Sequence, residues 1–140
     1  MLDASVAMSW LFFDGKPAQR AYALKVLAAM KQAETGALVP ATWGLEVSGV
    51  IAKAEAKGLV REVQSEAFLE LLEAMDIGAD RATFSKALSD TLQIARRYRL
   101  SAYDASYLEL AMREGLPLAT LDEDLQKAAT KAGVKRFATG

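Results

Sequence analysis

At 140 residues, 52% of them hydrophobic, the chain has the length of one domain and enough apolar material for a substantial core. Its 17 Lys and Arg against 18 Asp and Glu give a formal charge of -1, so no global basic field marks a nucleic-acid binder. Cys and His are both absent, which excludes disulfides, sulfur-ligated zinc and Ser-His or Cys-His catalysis, and leaves carboxylates as the source of acid, base or metal chemistry.

Along the chain, the longest apolar stretch is Val6 to Phe13, interrupted by Ser9 and far short of the roughly 20 residues that cross a bilayer. No basic segment precedes it as in a secretory signal, so a cytoplasmic protein is expected. Its residues "VAMSWLFF" suit the domain core, or the core together with a subunit interface. Pro17 to Ala33 repeats Ala21, Leu24, Leu27, Ala28 and Met30 at helical spacing and stops near Gly36. "ALVP", residues 37 to 40, reads as a buried strand of a parallel sheet.

Thr42 to Lys57 is a helix with Trp43, Val47, Val50, Ile51 and Ala54 on one face and Gly58 beyond its end. Two further helices are expected, Glu62 to Met75 and Ala82 to Tyr98, the second with Phe84, Leu88, Leu92 and Ala95 on a face, with "MDIG" between them as a very short strand. Ser101 to Glu114 is the next helix, "PLATLD" at 117 to 122 a strand and turn, Glu123 to Ala132 a last helix, and "VKRFA" at 134 to 138 an edge strand. This alternation predicts an α/β fold, a three-layer α/β/α sandwich with a mainly parallel central sheet.

In such sheets ligands sit beyond the carboxyl ends of the strands. That rule selects Asp3, after the first apolar residues, and Asp122, after "LAT"; Glu46 and Asp104, in the first turns of two helices, can reach the same edge. Four carboxylates in one cleft oppose each other's ionisation, and a hard divalent cation with oxygen ligands resolves the conflict. Such an ion activates water for attack on phosphorus, which makes phosphodiester hydrolysis the natural reaction and needs no imidazole. Each acid also has a structural alternative. Asp3, Asp104 and Asp122 suit helix caps, Asp104 as the partner of Ser101 in a capping box, and Glu46 suits a water-facing position. Asp14, Asp76, Asp80 and Asp90 are expected at the surface or as caps.

The segments "LDASVAMSWL", "VPATWGLEV", "LSAYDASYLELA" and "LPLATLDEDL", in this order and spacing, together resemble the PIN domain, in particular the VapC toxins of toxin-antitoxin pairs. The resemblance covers nearly the whole chain and implies one PIN-like domain over 1–140 that acts as a magnesium- or manganese-dependent endoribonuclease. The family's four acids fall on Asp3, Glu46, Asp104 and Asp122, and its accompanying hydroxyl residues on Ser5 and Thr120; Asp124 is a possible extra or substitute ligand. The resemblance further implies a homodimer, an RNA substrate and a cognate VapB-like antitoxin. One departure is that only Met1 and Leu2 precede Asp3 here, where the family's first strand begins several residues earlier; either residues are missing before Met1 or the first strand is very short.

Two other readings compete. Haloacid-dehalogenase-like phosphatases also place an aspartate after the first strand, but need a second Asp where this chain has Ser5. A non-catalytic PIN-like RNA- or protein-binding module has no need of all four acids. Lys53 with Lys57, and Arg96, Arg97 and Arg99, form two basic groups more readily read as solvated surface than as RNA contacts.

Overall fold

The computed structural model of the protein describes residues 1–138. In order these form α1 (Ala4–Met8), α2 (Pro17–Met30), β1 (Gly36–Val39), α3 (Trp43–Ala56), α4 (Glu62–Glu73), β2 (Asp76–Ala79), α5 (Thr83–Ala87), α6 (Asp90–Tyr98), α7 (Ala102–Glu114) and α8 (Glu123–Lys131). The architecture is the α/β/α sandwich read from the sequence, and every strand pairing among the described residues is parallel. No helix among them is long and apolar enough to cross a membrane.

β1 and β2 pair in register from Gly36 with Asp76 to Val39 with Ala79. The rest of the sheet is reduced to single bridges, Leu2 with Ala119 and Leu118 with Arg136. Asp3 N–H donates to the Ala119 carbonyl and Ala119 N–H to that of Met1, both at 2.9 Å. The strand and turn expected over 117–122 keep only a bridge-length strand, for a visible reason. Pro117 has no N–H to donate, and beyond Ala119 side chains take the backbone groups. Leu121 N–H donates to Ser5 Oγ, Asp122 N–H to Thr120 Oγ1, and Gln126 Nε2 to the Thr120 carbonyl. The edge strand expected over 134–138 likewise contributes one bridge, supported by Tyr22, whose hydroxyl donates to the Phe137 carbonyl at 2.9 Å.

The long helix expected over 82–98 is two helices. Ser89 leaves helical geometry (φ -121°, ψ -99°), and its hydroxyl donates back to the Lys86 carbonyl. Ser89 holds the N-cap position of α6 without a side-chain cap bond, its hydroxyl being turned back to α5. Phe84 and Leu88, expected on one apolar face, are 93% and 89% exposed.

α7 is the central helix. Ser101 Oγ caps it by accepting the Asp104 N–H at 3.1 Å, and Gly115, at φ 64°, ends it in the left-handed conformation that glycine adopts without strain. Every residue from Ala105 to Ala111 is buried, so the helix has no solvated stripe there. It packs on α5, α6 and α8, and its Tyr107 and Leu108 join Leu2, Val6, Leu118 and Leu125 in the core. Burying side chains of this size stabilises by about 1.5–3 kcal/mol each, and Leu108→Ala would cost about 2–5 kcal/mol. The rigid α7 thereby fixes Asp104, in its first turn, against the strand end carrying Asp3.

Candidate active site

Asp3, Glu46, Asp104 and Asp122 line one cavity of about 460 Å³, together with Ser5. Asp3 ends the first strand segment and is only 4% exposed. It holds the N-cap position of α1 without making a side-chain cap bond. Instead its Oδ2 accepts from both Ser5 Oγ and Thr120 Oγ1, each at 2.6 Å. The same two hydroxyls receive the Leu121 and Asp122 N–H groups, at 3.0 Å each. Ser5 and Thr120 therefore lock the first carboxylate to the loop that carries the fourth.

Glu46 stands in the first turn of α3, where its Oε1 accepts the hydroxyl proton of Tyr107 at 3.1 Å. Tyr107 is fully buried, and its oxygen in turn accepts the Ala4 N–H at 3.3 Å. It joins the helix after Asp3 to the Glu46 carboxylate. Sequence reasoning missed this residue, although it lies one turn beyond Asp104 on the same face of α7. Asp122 caps α8, with Oδ1 accepting the Leu125 N–H at 2.9 Å, so the structural alternative considered for it is realised with one oxygen. Asp104 donates its own N–H to Ser101 Oγ, but among the described residues the Ser101 N–H does not donate to the Asp104 carboxylate, so the capping box is half made. Asp124 does not line this cavity. It is exposed and lines a neighbouring groove.

Electrostatically the cavity is uncompensated. Among the described residues no Lys or Arg nitrogen lies within 4 Å of any of the four carboxylates. Burial pushes the Glu46 carboxyl up to about 7, with the charges of Asp3 and Asp104 adding to the shift and the Tyr107 hydrogen bond opposing it. Asp104 is pushed up to about 6 by burial and by Asp122 and Asp3. Burial raises Asp3 as well, against its two hydroxyl donors.

The donor set is all oxygen and carries uncancelled negative charge, which fits a hard divalent cation. Among the described residues no three carboxyl groups are already drawn together as a ready-made metal site. The wide cavity suits an ion such as magnesium, which keeps several waters and takes one or two carboxylates directly.

A second carboxylate cluster corrects the sequence reading. Asp80, expected at the surface or as a cap, is only 8% exposed, and its carboxylate accepts the Ala82 N–H at 3.2 Å and the Thr83 hydroxyl at 2.8 Å ahead of α5. Arg113 clamps it with two hydrogen bonds of 2.7 and 3.1 Å and holds the buried Glu109 with two more at 2.8 and 3.0 Å. The Arg113 guanidinium keeps the Asp80 carboxyl below its ordinary value. None of these three residues lines the acid cavity.

Ribonuclease VapC3 of Pyrobaculum aerophilum is 31% identical over 80 residues, a stretch amounting to 57% of this chain and 61% of that protein. The match thus spans less than two thirds of the relative's length. The crystal structure of PAE2754 from Pyrobaculum aerophilum superposes with a TM-score of 0.61 at 23% identity, covering 91% of this chain and 83% of that one, which is a likeness of fold. The family model of the PIN domain matches residues 1–131. With the parallel sheet and the ordered acids on one cavity already described, this match across almost the whole chain places the protein in the PIN domain family.

Proposed function

We propose that the chain is a VapC-like endoribonuclease, a toxin that hydrolyses RNA phosphodiester bonds with the aid of magnesium or manganese. The observation that carries this reading is the convergence of Asp3, Glu46, Asp104 and Asp122 on one cavity with no protein cation beside them. These four side chains would hold the ion, which when bound supplies an acidified water and neutralises charge on the phosphate. The protein's own contribution is positioning. Ser5 and Thr120 fix the orientation of Asp3, and Tyr107 fixes Glu46 through Oε1, leaving its second oxygen uncommitted among the described residues. Apolar Met8, Phe12 and Val50 on the cavity wall limit water around the reacting phosphate.

The phosphatase alternative loses its acid, because the residue two places past Asp3 is Ser5, whose hydroxyl is committed to Asp3 and to the Leu121 N–H. A VapB-like antitoxin and a homodimer belong to the same proposal. Beside Glu46 runs a shallow groove with Leu45 75% and Tyr103 58% exposed, an apolar flank suited to a covering peptide. Phe84 and Leu88 offer α5 as a face for a second copy. The test is cleavage of total RNA with added manganese. Wild type should cut, and Asp104→Asn, which keeps the side-chain shape and removes its charge, should lose at least about a hundredfold in rate while remaining folded. A fully active, folded Asp104→Asn would sink the assignment.

A further inference from the structure

Next to the acid cavity lies a groove of about 720 Å³ with Arg97, Tyr98 and Arg99 on one wall and Asp124, Lys127 and Lys131 on the other. The chain as a whole has a formal charge of -1, so four cations on one groove are a local concentration. All four are exposed, and among the described residues none has a carboxylate within 4 Å. Lys127 and Lys131 follow Asp124 at helical spacing on α8, so the wall runs for about 10 Å at 1.5 Å per residue. Arg97 is steadied against the Tyr98 ring, 5.7 Å from its centroid.

Both walls connect along the chain to acids of the cavity. The α6 wall continues from Leu100 into Ser101 and the first turn of α7 with Asp104, and the α8 wall begins at the Asp122 cap. The charge of Asp124, at the junction, reaches Asp104. The turn joining α6 to α7 adds an independent observation. Arg99 sits at φ 54°, ψ 47°, and among the described residues it is the one non-glycine at positive φ; Gly58, Gly115 and Gly133 hold the others. Glycine is the unstrained choice at such a helix end, so an arginine there sacrifices backbone comfort and gains a guanidinium on the groove.

Resting on the nuclease reading, we propose that this groove is the path of the RNA backbone beside the scissile bond, with Arg97, Arg99, Lys127 and Lys131 holding phosphates. Its cations read charge and not bases, so it contributes affinity and register without sequence preference. An acidic peptide would find the same cations; the link along the chain between both walls and the proposed reaction cavity favours a phosphodiester chain.

The experiment compares wild type, Arg99→Gly, and the combined Arg97→Gln, Arg99→Gln, Lys127→Gln, Lys131→Gln variant. Each is measured for binding to a labelled oligouridylate across a salt series, and for manganese-dependent cleavage of a long RNA and of a dinucleotide too short to reach the groove. The combined variant should bind RNA at least about tenfold more weakly, with the slope of log K against log salt shallower by about 0.7 for each phosphate no longer neutralised. KM for long RNA should rise with kcat unchanged, and dinucleotide cleavage should stay at the wild-type rate. Arg99→Gly should bind more weakly while being as stable as wild type or more so, which separates a missing guanidinium from a damaged fold. Wild-type affinity, slope and KM in the combined variant, with cleavage intact, would overturn the groove and leave the nuclease standing. Unchanged RNA binding combined with abolished binding of polyglutamate would overturn it equally, by making the groove a peptide site. Absence of both RNA binding and cleavage in the wild type would overturn the nuclease reading and the groove with it.

Discussion

The molecule holds two clusters of buried or half-buried carboxylates, and they are built on opposite principles. Around Arg113, Asp80 and Glu109 share one guanidinium, each held by two hydrogen bonds, so the protein supplies its own counter-charge to both acids and the Asp80 carboxyl is held below its ordinary value. Around the cavity, four acids meet with no cation within 4 Å among the described residues, and Glu46 and Asp104 are pushed up to about 7 and about 6. The first arrangement is complete as folded. Under the proposed function the second would be completed by a cation from solution, and that difference separates a self-neutralised ion cluster from a candidate metal site.

The contrast breaks most visibly if the internal cation is removed. Arg113→Ala strands two buried carboxylates and should destabilise by about 3–5 kcal/mol in urea unfolding, whereas Asp104→Asn should leave the metal-free protein at least as stable as wild type. If both cost the same, the clusters are not different in kind. Next in size is Tyr107→Phe, which removes the donor to Glu46 and leaves the buried Ala4 N–H without an acceptor; it should cost about 1–3 kcal/mol by the same measurement.

Dependence on pH sharpens the comparison because the two clusters carry opposite signs. Asp80 is lowered, so its contribution is present above the ordinary aspartate value of 3.8 and is lost as pH falls through and below it. Glu46 is raised from 4.5 to about 7, so its penalty is absent at acid pH and grows as pH rises from about 4.5 to about 7. Metal-free wild type should therefore gain stability on acidification from neutrality until the loss at Asp80 takes over. Glu46→Gln should flatten the limb near neutrality, and Asp80→Asn, though less stable throughout, the acid limb. A wild-type curve flat between about pH 5 and 7 would contradict the raised carboxylates. The smallest effect is expected at Leu88, where replacement by Gln should change monomer stability by no more than about 0.5 kcal/mol, since the side chain is 89% exposed.

The same two clusters show what the sequence made legible. The acids of the cavity follow strand ends or open helices, and those positions are set by local signals such as the Ser101 cap, the Gly115 stop and the apolar period of α3, so their convergence could be anticipated. α2, α3, α7 and α8 lie close to their expected bounds for the same reason. Asp80 could not be placed, because its burial depends on a partner 33 residues away that no periodicity reveals. Phe84 and Leu88 misled because a helical period states which residues share a face, and not whether that face has anything to pack on. The end of pairing after Ala119 came from Ser5, Thr120 and Gln126 capturing backbone groups, a tertiary competition invisible in a hydropathy pattern.

The central claim is that the unneutralised cavity exists to bind a divalent ion, and thermal unfolding under manganese titration tests it without knowledge of the RNA. At about 100 times its dissociation constant, manganese should stabilise the wild type by about 2.7 kcal/mol, a rise in Tm of several degrees, and the rise should be largely absent in Asp104→Asn. Equal shifts in the two proteins, or none in either, would contradict a metal site built on these acids.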